Sequence, residues 1–536
     1  MTEPSSSLAA ATGTPDAGAG SRANLAPVVV LPVAVAAVLA FALGGPKAAL
    51  LVVAAAGFLG LMLCLVFRPY WYVWLLFPAL LSWSYAAYVK GSLGPSWLDL
   101  YSPWTIRIGP MPVADLLLLL APLRVVLDPR FARFREWHPL DRAMGVFVLS
   151  YLPAALIGML HRDATQTWTL WFFSVRGPIL IAATYLAASR LIPTDRPSGP
   201  RGFLFAPLVG LLGAILGAAY RAFVLHQIQD RAGAPVLLIS EANMLPTMAT
   251  LGVAYLATSR QSRGGKALAI AGITLALAIL LVSTRRSVML FAGFSLVALL
   301  FFLPRPHLRR ALGIFGVMLV LVLILGAALI KVSGPIGKLW LTFMSGGGAA
   351  SQVQGVSDRR QEVDNVAANL DKYGGWVFGQ GLGRRWERLL PQRNLYFGAG
   401  FGDDKGHVWI FPLHVFFLPN LLQQGLFGLA VMAVALMMIM RMTLRLARQP
   451  VEGGEEELLN RALLAATLAG ILVSILYYYA YPNAGIFSGA LLATVDGFLR
   501  MRYAPVPAAT TDCPSLSRGT GSRPQASAST SDPDWN

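Results

Sequence analysis

The sequence predicts an all-α polytopic membrane protein, and three observations predict it. Of its 536 residues, 56% are hydrophobic and only 13% are charged, with a mean hydropathy of +0.60. A soluble domain of that size needs far more charge to cover its surface. Apolar runs of roughly twenty residues, the length that crosses a bilayer as a helix, recur along nearly the whole chain. Basic residues gather in the short turns between alternate runs, the bias that leaves positive loops in the cytosol. The formal net charge of +17 is therefore a topological signal, and nucleic acid is not an expected partner. Cys64 lies in an apolar run and Cys513 in the C-terminal tail, different environments that exclude a disulfide framework and a thiolate metal site.

Residues 1–24 are mostly Ala, Ser, Gly, Thr and Pro and read as a disordered cytoplasmic tail without the basic start of a signal peptide. Spans are expected near 25–43, 47–66, 70–88, 112–127, 142–160, 169–189 and 203–225. More follow near 237–258, 267–284, 287–303, 311–331, 425–441, 462–481 and 484–500. That makes about 12–14 transmembrane helices. The run at 112–127 is short and carries Asp115. With both termini cytosolic, one set of loops holds Arg130, Arg133 and Arg135, then Arg190, Arg196 and Arg201, and later Arg305, Arg309, Arg310, Arg445 and Arg448. The alternate loops carry far less positive charge. This divides the chain into an N-terminal transmembrane bundle (25–236) and a catalytic region (237–441) that includes an external loop at 332–413. A cytoplasmic loop and C-terminal pair of spans (442–500) and a disordered tail (501–536) complete it.

Several arginines break the pattern. Arg285 and Arg286 sit in a tight turn, LVSTRRSVML, on the non-cytosolic side, where the orientation rule disfavours them. They either snorkel to lipid headgroups or bind an anion, since a guanidinium grips phosphate in two places and stays charged where water is scarce. Arg176 lies about two turns inside its span from the same side, and Arg221 lies near the outer end of another. Both are candidate anion ligands, or pair with a carboxylate such as Asp115 or Glu241. Glu241 and Asn243 open the span that begins EANMLPTMAT, where the glutamate also suits a helix cap or first turn.

The loop Ser333–Leu413 is the one large polar island. Ser357-Asp358 starts a helix with Val363, Val366 and Leu370 on one face and a stop at Gly374-Gly375. Arg359 and Arg360 fall in its first turn, where cations oppose the helix dipole, which points to a bound anion or to a solvated face. Gly379, Gly381 and Gly383 alternate in GQGLGRR; with no lysine-serine following, they read as tight turns that pack backbone closely. His407 and His414 close the loop, and an imidazole near its ordinary pKa can take a proton from a sugar hydroxyl.

The segment from His414 to Gly428 reads H-V-x9-G-L-F-G. It resembles the His-Asn/Ser/Gln-x9-Gly-x-x-Gly signature of the bacterial O-antigen ligase and polymerase superfamily. STRRSVML is similar to that family's Ser-x-Ser-Arg-Gly stretch, Arg286-x3-Leu290 to its Arg-x3-Leu pattern, and EANMLPTMATLGVAYLA to its Asn-initiated span. WVFGQGLG resembles the Gly-x-Gly turn of its large external loop, so the resemblance covers roughly Glu241 to Gly428. Val415 stands where the family has an amide or hydroxyl residue, and Arg285 precedes the expected arginine. The resemblance implies a metal-independent and cofactor-free glycosyltransferase on the outer face of the inner membrane. Its donor would be a glycan on undecaprenyl diphosphate. Its acceptor would be a lipid-linked repeat unit for a polymerase, or lipid A–core for a ligase, with a flippase and a chain-length regulator as neighbours. His414 would be the general base, with His407 as substitute. Arg285, Arg286, Arg221, Arg176, Arg359 and Arg360 would hold the diphosphate, and Glu241, Asn243, Gly425 and Gly428 would support them. The chief alternative from another class is a transporter for an anionic lipid-linked glycan.

Overall fold

The structure is a computed structural model. It describes residues 25–82, 103–104, 106–109, 111–128, 138–161, 168–192, 203, 206, 208–217, 229–231 and 234–236. Beyond these it describes 244–258, 262–283, 286–331, 348–390, 401–402, 408–410, 417–449, 454–478 and 482–503. Of the described residues 87% are helical, so the protein is an all-α fold with small β additions.

The helices follow the apolar runs. Helix α1 (Leu25–Phe67) covers two of them and breaks between them at Gly45, whose φ of 73° belongs to no α-helix. Then come α2 (Pro69–Ser82), α3 (Val113–Leu127), α4 (Pro139–Leu160) and α5 (Trp168–Leu191). A short α6 (Leu208–Gly217) precedes α7 (Met244–Ala257), α8 (Arg263–Ser283), α9 (Arg286–Phe302) and α10 (Arg305–Lys331). The polar helix α11 (Gly348–Tyr373) precedes α12 (Leu418–Arg448), α13 (Glu455–Tyr478) and α14 (Pro482–Tyr503). Among the described residues α4, α5 and α12 are long and apolar enough to cross a membrane. Helix α11 begins at Gly348 and not at Ser357, so Arg359 and Arg360 lie near its middle and not in its first turn. The dipole argument for an anion there has no terminus to act on.

One apolar core holds the bundle together. It runs from Tyr72, Leu76 and Phe77 on α2 through Phe147 on α4 and Leu180 on α5 to Phe487 and Leu491 on α14. The closest packing partners are far apart in sequence, α5 with α14 and α4 with α12. The closest contacts therefore run between residues 25–236 and each of the later parts of the chain. A second core joins α7, α9 and α13 through Val253, Leu299 and Leu459.

The strands are short antiparallel additions. β1 (Arg107–Ile108) pairs with β2 (Met111–Pro112), and β3 (Gln229–Arg231) with β4 (Ala234–Val236). A three-stranded sheet orders β5 (Trp386–Glu387), β7 (Val408–Ile410) and β6 (Phe401–Gly402) with β7 in the centre. The sheet and α11 belong to the polar segment that precedes α12, and this segment docks onto one end of α4, α5 and α12.

Candidate functional site

The docking begins with a break in α12. Gly425 has φ 66° and ψ −170°, a conformation open only to glycine. In an unbroken helix the Leu426 and Phe427 N–H groups would bond to the Leu422 and Gln423 carbonyls, four residues back. The break frees all of these groups, and the turn 374–383 takes them. Leu426 N donates to Trp376 O at 2.8 Å and Phe427 N to Val377 O at 2.9 Å. In return Gln380 N donates to Leu422 O at 2.8 Å and Gly381 N to Gln423 O at 3.1 Å. A further bond, Leu382 N to Ala154 O at 2.8 Å, ties the turn to α4.

The glycine spacing follows from what each glycine faces. A Cβ on Gly379 would overlap the Gln423 carbonyl of α12, one on Gly381 the backbone of Gly158 on α4, and one on Gly383 the backbone of Trp171 on α5. These three positive-φ glycines thus lie against three different helices. The turn is the lid's seat.

Helix α11 and β5 build the lid behind that seat. Val366 and Leu370 of α11 pack with Trp386, Leu418 and Leu422. Two buried asparagines one helical turn apart satisfy the passing chain. Asn365 Oδ1 accepts from Leu389 N and Leu390 N at 2.9 and 2.8 Å. Asn369 Oδ1 accepts from Glu387 N at 2.8 Å, and its Nδ2 donates to Glu387 O at 2.7 Å. The buried Glu387 carboxylate accepts from Lys372 Nζ at 2.8 Å and from the Tyr373 hydroxyl. The hydrogen bond to Glu387 raises the Lys372 pKa, and burial followed by the neighbouring carboxylate raises that of Tyr373. The Arg384 guanidinium lies over the Tyr373 ring, 5.4 Å from its centroid.

Under the seat is a patch of buried amides. Gln424 Nε2 donates to Asn420 Oδ1 at 3.0 Å, and Gly428 leaves room for the Gln424 side chain. The Oε1 atoms of Gln380, Gln423 and Gln424 are buried without a hydrogen-bond partner. They are sealed from solvent, so no ligand reaches them while the lid is seated.

Arg176 is 5% exposed, and its Nε stands 2.9 and 2.7 Å from the two oxygens of Asp115. The guanidinium carbon is 5.1 Å from the Trp104 ring centroid. A phosphate would meet a cation already neutralised by a carboxylate, so the geometry favours the structural pairing over a free anion ligand. At the opposite end of the same helices a larger network stands. Arg190 Nη2 of α5 is 2.7 Å and Arg500 Nη2 of α14 is 3.0 Å from Asp141 Oδ2 of α4. Arg500 Nε also bonds Asp496 at 2.6 Å, and His138 Nδ1 lies 3.1 Å from the same carboxylate. The Tyr185 hydroxyl donates to Asp141 Oδ1 at 2.8 Å. Sequence reasoning counted Arg190 among the loop arginines and passed over Asp141 and Asp496; the carboxylate of Asp496 inside the run 484–500 was the available signal.

Of the other sequence-predicted residues, Gly425 and Gly428 are in α12 and Arg360 is exposed on α11. Arg286 opens α9 and Arg359 lies in α11, with side chains outside the described residues. Arg221, Glu241, Asn243, Arg285, His407, His414 and Val415 also lie outside the described residues. Among the described residues no three His, Cys, Asp or Glu side chains stand together to hold a metal ion. No family model matches the chain, and no curated protein matches it.

Proposed function

We propose that this chain is a multi-pass membrane glycosyltransferase of about 12–14 spans. In this reading both termini are cytosolic and the lid is external. The enzyme takes a glycan from undecaprenyl diphosphate and polymerises repeat units of a surface polysaccharide. One observation carries the reading. Two of the segments that resemble O-antigen ligases and polymerases, WVFGQGLG and G-L-F-G, are over forty residues apart in sequence and hydrogen-bonded to each other at the break in α12. Each segment supplies hydrogen-bond partners that the other leaves open, which supports reading the pair as one functional unit.

The chemistry fits an external site. Cleaving a sugar–diphosphate bond develops charge on the leaving group, which Arg285, Arg286 and Arg221 would stabilise. His414, four residues before α12, would deprotonate the acceptor hydroxyl, with His407 as substitute. Gly425 and Gly428 would fix the turn from which that histidine reaches the substrate. Arg176 would act through Asp115 to position α3 against α5.

A transporter also uses broken helices, but with the exposed backbone lining a substrate cavity near the bilayer midplane. Here the freed backbone groups of α12 are taken by the lid, which favours a surface enzyme.

The test is the purified chain in nanodiscs with an undecaprenyl-diphosphate-linked repeat unit, products being sized on a gel. The wild type should extend the glycan, and Arg286→Ala and His414→Ala should not. Unchanged product length in both variants overturns the proposal. In cells, deleting the gene separates the two acceptors: loss of polymer from lipid A–core with intact lipid-linked polymer identifies a ligase.

A further inference from the structure

The lid's seat carries an apolar tip that its own chemistry leaves unexplained. Trp376, Val377 and Phe378, with Leu426 and Phe427 across the break, are between 38 and 57% exposed. No charged residue lies between Gly374 and Gly383. A continuous exposed apolar surface of this kind marks an interaction site in a soluble protein. It is also rigid. The paired bonds to Trp376 and Val377 fix its backbone, and the Phe378 and Phe427 rings meet at 5.4 Å.

We infer that this tip is seated in the lipid bilayer, at the boundary between acyl chains and headgroups beside the N-terminal part of α12. The inference rests on the reading of α12 as a membrane span and adds the lid's own contact with lipid. Two observations choose lipid over a protein partner. The exposed stripe of α12 starts at Leu426 and Phe427, continues through Ala430, Val434 and Met437, and ends at Arg441, Arg445 and Arg448. At 1.5 Å per residue, Arg441 lies about 21 Å and Arg448 about 32 Å from Phe427, so the far edge of a roughly 30 Å hydrocarbon core falls among these arginines, whose long side chains reach outward. The arginines then reach one headgroup layer and the aromatic tip falls at the other, the pairing of basic end and aromatic belt that membrane helices show. Trp376 has the matching amphipathic placement. Its indole N–H donates to Asp371 Oδ1 at 2.8 Å on the polar side of the lid, while the ring stays exposed.

The consequence is mechanical. The lid is held by the broken helix and also by lipid, so its external edge stays at the level where a lipid-linked substrate presents its diphosphate.

The experiment uses the full chain in nanodiscs, with Cys64→Ser and Cys513→Ser as background and single nitroxide labels at V377C and F378C. V434C, in the middle of the α12 stripe, and D364C, exposed on α11, serve as references. Collision with oxygen and with a water-soluble nickel chelate is read by power saturation. Labels at 377 and 378 are expected to resemble V434C, reached by oxygen and shielded from the chelate. Chelate access at both positions equal to D364C, with V434C still shielded, overturns this inference alone. Chelate access at V434C overturns the membrane reading of α12 itself. Labels at 377 and 378 closed to both reagents would show a protein surface, a second copy or a partner, in place of lipid and would likewise overturn the inference.

Discussion

Gly425→Ala tests the interlock between lid and helix, because alanine cannot hold φ 66° and ψ −170° without strain of about 1–3 kcal/mol. Its Cβ would also overlap the Val377 carbonyl and the Gly379 nitrogen. The helix has an escape. If it straightens, Leu426 N and Phe427 N bond back to the Leu422 and Gln423 carbonyls, and α12 loses nothing. The lid has none, and it forfeits the bonds of Trp376, Val377, Gln380 and Gly381. At about 1 kcal/mol net for each, the loss is about 4 kcal/mol. With about 1.4 kcal/mol per tenfold, the docking equilibrium falls roughly a thousandfold. Hydrogen exchange of the Gln380, Gly381 and Leu382 amides, which donate across the seat, is the assay, with far-UV circular dichroism as control. Protection of those amides is expected to fall by about that factor while helix content holds or rises slightly. Wild-type protection in the variant would show that the glycine break does not hold the lid.

Three further outcomes follow from the same geometry. Asp115→Leu should lower stability by about 3–5 kcal/mol by stranding a buried guanidinium. Adding Arg176→Leu should recover most of that in thermal unfolding, and equal losses in single and double variants would refute the pair. Asn369→Leu leaves the Glu387 N–H and C=O without their partner, costing about 1–3 kcal/mol for each group. Trypsin should then cut faster after Arg385 and Arg388, and an unchanged cleavage rate would sink the idea. In a difference titration of phenolate absorbance against Tyr373→Phe, Tyr373 should titrate above the ordinary 10.0, since burial and the Glu387 carboxylate both oppose its anion. A midpoint at or below 10.0 would mean that the carboxylate is elsewhere.

The helices were legible because apolar runs and helix stops are local properties. The stop of α11 at Gly374-Gly375 was readable from two adjacent glycines, and the packing role of Gly379, Gly381 and Gly383 from their alternation. What each glycine packs against was not readable, since α12, α4 and α5 supply one surface each from distant parts of the chain. The start of α11 was misplaced because Ser357-Asp358 has the chemistry of a cap while the helix continues through it from Gly348. The ionic network was missed for a different reason. An arginine at a helix end reads identically whether it faces headgroups or a carboxylate, and only Asp496, inside an apolar run four residues before Arg500, distinguishes the two.

The two ends of α4 are held by different physics, and this decides which end can open. Asp141 to Gly158 is about 25 Å along the helix at 1.5 Å per residue. At the Asp141 end, α4 is tied to α5 and α14 by buried charge pairs that share one carboxylate, so all of them must break together before the helices part. At the Gly158 end, the lid is held by backbone hydrogen bonds worth about 1 kcal/mol net each, and water replaces them when it lifts. In the proposed reading, an opening toward substrate would occur at the lid, with the charged end as the fixed base. The sealed oxygens of Gln380, Gln423 and Gln424 point the same way, because lifting the lid is the motion that would give them partners. A lid seated on a broken helix is thus suited to open locally without disturbing the bundle that carries it.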